Sequence, residues 1–153
     1  MRNSSYFKKL LNEFESSSIR GRSSLLERME ENAKTFADWY EIHRYGDSSA
    51  QYEALQKMKE LVLKQQKVLD IQRNILDLFE LMTDSKEQEQ ILKAYLEQHC
   101  EKDDILFVLT VCDTACDLWS DAHSLALKYY STYGGVSRGI QARQNKNVKI
   151  MTP

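Results

Sequence analysis

Apolar side chains recur at helical spacing along most of this chain. Between 49 and 83 the pattern runs with no glycine or proline: Leu55, Met58, Leu61, Val62, Val68, Leu69, Ile75, Leu76, Phe79 and Met82. Such unbroken periodicity predicts one helix, roughly 50 Å long at about 1.5 Å per residue. A rod of that length exceeds the width of a compact domain of this size. Within it Leu55, Val62, Leu69 and Leu76 stand seven apart, and Leu61, Val68, Ile75 and Met82 form a second seven-residue series alongside. Two adjacent series make a broad apolar face, which suits a central bundle helix better than a two-stranded zipper. Gln65 and Gln72 fall between apolar Met58 and Phe79 on the same seam. They read either as a partly wet stretch or as a polar layer that sets register.

Four further helices are predicted, over 5–16, 24–45, 85–100 and 104–133. Tyr6, Phe7, Leu10, Leu11 and Phe14 stripe the first, with Ser4 or Ser5 as its N-cap. The serine-rich stretch 16–23, which includes Gly21, reads as a loop. Ser24 and Glu27 have capping-box spacing at the head of the second helix, and Gly46 stands where a helix end favours a left-handed residue. Asp47, Ser48 and Ser49 offer caps for the long helix, and Asp84 with Glu87 opens the next. Asp103 or Asp104 can cap the last, whose stripe includes Ile105, Val108, Leu109, Cys112, Cys116, Trp119, Ala122, Ala126, Tyr130 and Tyr133, with Gly134-Gly135 closing it. No glycine or proline forces a stop near residue 100, so a continuous helix over 85–133 is a rival reading. The run 105–111 has the composition of a buried strand, but no second strand is available to pair with it.

The expected fold is therefore all-α: an elongated helical bundle built on a long antiparallel, coiled-coil-like hairpin. One helical domain is expected over 1–135, with a basic, mobile tail over 136–153. A length of 153 residues, 42% hydrophobic and 29% charged, suits one domain with a core and argues against disorder.

Charge changes the picture at one end. The net charge is −2, but the last acidic residue is Asp121, and Lys128, Arg138, Arg143, Lys146 and Lys149 follow it. That polarity points to a partner-facing C-terminus. Three cysteines do not resemble a disulfide framework, and no signal peptide or bilayer-length apolar run is visible. An intracellular, cytoplasmic location is expected, or the host cytoplasm if the protein is viral.

Candidate chemistry is sparse. Cys112, Cys116 and His123 share roughly one helical face, where zinc could accept them, but that face is the apolar stripe and no Cys-x-x-Cys occurs. Asp113, Asp117 and Asp121 make an acidic ridge without the Glu-x-x-His that di-metal bundles need, so it reads as a solvated face or a strip for basic partners. Glu27, Glu30 and Glu31 would need a second acidic cluster opposite to hold magnesium. Asp84 with Glu87, or Glu101 with Asp104, would be the only candidates, and neither sits inside an apolar helical face as such a site requires. No phosphate-cradling loop, nucleophile elbow or HExxH is present, so no enzyme, cofactor, metal site or small-molecule substrate is expected.

What remains is binding. Trp39 and Tyr45, in an aromatic helix end with Tyr40, His43 and Arg44, are of the types that dominate interfaces, although Trp39 and Tyr40 also suit core packing. With Leu61, Val68 and Ile75 they form the expected partner-binding set. The expected function is a non-enzymatic adaptor, assembly factor or regulatory subunit that acts through helix-to-helix contacts. The apolar face of 49–83 is wider than one helix covers, so another protein or a second copy, as a homodimer, is the expected partner. Two alternatives stand beside it. Arg138, Arg143, Lys146 and Lys149, following Tyr129, Tyr130 and Tyr133, could hold nucleic acid weakly. A membrane-surface helical module is the other, weakened because no helix sets a strongly basic face opposite its apolar one.

Overall fold

A computed structural model of the chain describes residues 3–114 and 118–132. Among these residues there are eight α-helices and no strands. Their contacts divide into two compact units, Met1–Met82 and Thr83–Pro153. The first unit holds α1 (Ser5–Ser16), α2 (Ile19–Asn32), α3 (Phe36–Tyr45), α4 (Ser48–Leu61) and α5 (Val68–Leu81). The second holds α6 (Ser85–Gln98), α7 (Lys102–Asp113) and α8 (Ser120–Ser131).

The rod expected over 49–83 is two helices, α4 and α5, joined through 62–67. Val62 is still helical in backbone and fully buried, but Lys64-Gln65-Gln66-Lys67 follows with no apolar member to hold a core face. Intrinsic propensity is too weak to carry a helix across such a stretch without tertiary support. The long hairpin goes with the rod. Gln65 lies in the connector, so the amide-lined seam is no register layer either.

The helix expected over 24–45 is likewise broken, at Ala33-Lys34-Thr35. Here the cause is a capping box. Thr35 Oγ1 accepts from the Asp38 N–H at 3.1 Å, and Asp38 Oδ2 accepts from the Thr35 N–H at 3.1 Å. α2 begins at Ile19, so Ser24 and Glu27 lie within it and the serine loop shrinks to Ser17-Ser18. The stretch 85–133 is neither one helix nor the expected pair, because it breaks at 99–101 and again before Ser120.

Gly46 ends α3 with an ordinary negative φ of −84°, not a left-handed one. Its value is space: a Cβ there would stand 2.6 Å from Ala50 Cβ and 2.7 Å from the Ile42 carbonyl oxygen. Closeness at that corner lets α3 fold back on α4, the most extensively packed pair of the first unit. Asp47 caps α4 by accepting from the Ala50 N–H at 2.9 Å, and Asp84 caps α6 by accepting from Lys86 and Glu87 amides.

The core of the first unit gathers Phe7, Leu10, Met29, Phe36, Ile42, Met58, Ile71, Ile75 and Leu78. Under it sits a fully buried carboxylate, Asp38. It accepts from Asn3 Nδ2 (3.0 Å) and the Ser4 N–H (3.1 Å) on one oxygen. The other takes Ser4 Oγ (2.9 Å) and the amides of Lys34 (2.8 Å) and Thr35 (3.1 Å). Such donors offset the cost of taking the charge from water and lock the start of α1 to the start of α3. In the second unit α7 packs most on α8, and Leu92, Tyr95, Ile105, Val108 and Ala122 are fully buried. Asp104 plays a similar part there, accepting from Tyr95 Oη at 2.7 Å and from the Glu101 N–H at 3.2 Å. Among the described residues no helix is long and apolar enough to cross a membrane.

Candidate protein-docking surface

α5 is apolar on two sides. Ile71, Asn74, Ile75 and Leu78 turn inward and are buried. Leu69, Arg73, Leu76 and Glu80 are all exposed. At about 100° per residue these last four stay within roughly 60° of a single line along the helix, opposite the buried one. Leu69 is 73% exposed and Leu76 49%. A lone exposed leucine carries no message, as at Ile19 or Tyr52 elsewhere in this unit. Two leucines aligned two turns apart on one helix form a strip that a partner helix could cover.

Polar groups frame the strip. Asp77 flanks it, and burial, reinforced by Glu80, holds its carboxyl above the usual aspartate range against the pull of Arg73. Burial first, then Asp77 and Glu80, also raises the phenol of Tyr40 on α3. The half-buried side of α5 that carries Asp77 therefore lies toward α3. A cleft of about 250 Å³ opens beside it, lined by Tyr40, His43, Arg44 and Leu81, where burial lowers the His43 pKa. A second cleft, of about 410 Å³, opens at the other end of α5 between Thr35, Phe36, Ala37, Gln65, Gln66, Lys67 and Asp70. Both clefts open on the α3-facing side of α5, and their α5 members, Asp70 and Leu81, stand about 100° round the helix from Leu69 and Glu80.

The residues expected to bind a partner do not gather here. Ile75 has no solvent access and Trp39 is 6% exposed, so both belong to the unit's own core. Tyr45 is half-buried, its ring 4.9 Å from that of Phe14 and its hydroxyl donating to Glu15 Oε2 at 3.0 Å. Leu61 and Val68 are half-buried on either side of the α4–α5 connector. The pair that is outward, Leu69 and Leu76, belongs to the neighbouring seven-residue series. A signal for this was in the chain: Ile71 and Leu78 complete a dense apolar line with Ile75 and Met82, which marks that side as core.

Other expected chemistry is placed as follows. Arg138, Arg143, Lys146 and Lys149 lie outside the described residues, as do Cys116, Asp117 and Tyr133. Asp113 ends α7 and Asp121 opens α8, so the acidic ridge is not one helix face. Cys112 is buried, and its thiol is pushed up to about 12 by burial first, then by Asp113 and Glu89. The carboxylates that act on Glu30 are Glu53, Asp47 and Glu27, all within the first unit. Glu30 shares a hydrogen bond with Glu53, and burial chiefly raises its pKa. Among the described residues no group of three or more histidine, cysteine or acidic side chains could hold a metal ion.

Compared with known protein families, with curated proteins and with solved structures, the chain matches none.

Proposed function

We propose that this protein is a non-enzymatic binding protein, of adaptor, assembly-factor or regulatory-subunit type, that works by helix-to-helix contact along the outward line of α5. The observation that carries this reading is the alignment of Leu69 and Leu76, both exposed, on a helix whose opposite face already supplies the unit's core. Fully burying a leucine is worth about 1.5–3 kcal/mol, and these two retain much of that as free surface. Association also costs several kcal/mol in lost freedom, so further contacts beside the two leucines have to supply anchoring.

The test uses the full chain as bait in lysate of its source cells, beside the double variant Leu69→Ser/Leu76→Ser. Circular dichroism verifies that both are folded. Proteins held by the wild type and lost with the variant are the expected result. An identical set from both baits, or an empty one, overturns the proposal.

A further inference from the structure

We infer that the α5 strip is occupied by the same strip of a second copy, laid antiparallel across a two-fold axis at Leu76. This rests on the docking role just proposed for the strip and names its partner.

Read from the N-terminal end, the exposed line is Leu69, Arg73, Leu76, Glu80. A cation stands three residues before Leu76 and an anion four residues after it. In a two-fold contact residue i meets j while j meets i, so a single patch must complement itself. An axis at Leu76 sets that leucine against the partner's Leu76. The same axis brings Arg73 opposite the partner's Glu80, and Glu80 opposite the partner's Arg73. Leu69, seven residues before the axis, falls opposite position 83 of the second copy, just past the end of α5 at Leu81, and stays outside the contact. A parallel arrangement would instead press Arg73 on the partner's Arg73 and Glu80 on the partner's Glu80. Like charges at matching positions disfavour that pairing, so charge selects the antiparallel form. Asp77 does not spoil the line, because it is half-buried and stands about 100° round the helix from Leu76.

Size sets the strength. One leucine and two charged side chains per copy cover less than the ~800 Å² a standard interface buries on each partner. The dimer is therefore weak and shows itself as mass that rises with concentration.

Sedimentation velocity on the full chain, over a wide concentration range and at two salt levels, tests this. Wild type should move from monomer to dimer, and Leu76→Lys should stay monomeric. Arg73→Glu and Glu80→Arg each place like charges together twice and should weaken self-association about tenfold. Mixing those two single variants, or combining them as Arg73→Glu/Glu80→Arg in one chain, should restore the dimer. A wild type that stays monomeric throughout overturns the inference, and so does a dimer that ignores the charge changes or is not restored by the swap. Those failures are distinct from failure of the docking role. Lysate proteins still lost with Leu69→Ser/Leu76→Ser would leave the strip a docking site for a foreign partner.

Discussion

Along α5 the inward line reads Ile71, Asn74, Ile75 and Leu78, while the outward line reads Leu69, Arg73, Leu76 and Glu80. Both carry branched aliphatic residues at helical spacing, and neither is purely apolar. They differ in what their polar members cost to bury. A neutral amide can enter a core at a modest penalty, whereas unpaired arginine and glutamate cannot. The face with two charges is therefore left outside, and its leucines stay out with them. Exposed leucine on α5 follows from the charges beside it.

The largest effect that would test this contrast compares adjacent residues. Ile75→Ala should lower unfolding free energy by about 2–5 kcal/mol through loss of buried methyl groups and the cavity left behind. Leu76→Ala, one residue along, should change it by no more than about 0.5 kcal/mol. Urea denaturation measures both, and equal losses would mean the two faces are not distinct. The middle effect concerns Asn74, which is 1% exposed and whose Oδ1 has no hydrogen-bond partner. Asn74→Leu should raise stability by about 1 kcal/mol, because an unsatisfied buried acceptor is removed. A fall would show that the amide is needed by the inward face.

The smallest effect is one of pH. Burial, then Glu80, holds the folded-state pKa of Asp77 above its unfolded value. Between those two values the native state binds more protons, so stability falls as pH rises through the folded pKa. Asp77→Asn should then be the more stable form at neutral pH. Its advantage should close as the solution approaches the ordinary aspartate pKa of ~4. Glu41, raised mainly by burial, carries the same sign on α3. Parallel stability curves for wild type and Asp77→Asn would remove the claim.

Local features were legible where the chemistry is local. The first helix was expected over 5–16 and is observed at Ser5–Ser16, because a clean apolar stripe follows a serine run. Asp47 and Asp84 were readable as caps because each side chain reaches amides two or three residues ahead. Thr35 with Asp38 has equivalent spacing but sits inside a continuous apolar pattern, and it ends that pattern. The break after Val62 has no glycine or proline to announce it, only polar residues and a lost core face. The exposed leucine strip was half legible. Its leucines stood in a seven-residue series, but the series beside it was assigned the outward role.

The sequence by itself determined that this protein is helical and which residues could share a stripe. Few breakers and regular apolar spacing settle both, and each is a property of neighbouring residues along the chain. Whether the long pattern breaks at 62–67, and which stripe of α5 turns to solvent, only the tertiary structure decided. Helix propensities differ by up to about 0.7 kcal/mol among ordinary residues, while burying one large aliphatic side chain is worth about 1.5–3 kcal/mol. Packing within a unit therefore outweighs local preference, breaks the long pattern at 62–67, and sends Ile75 inward and Leu76 out.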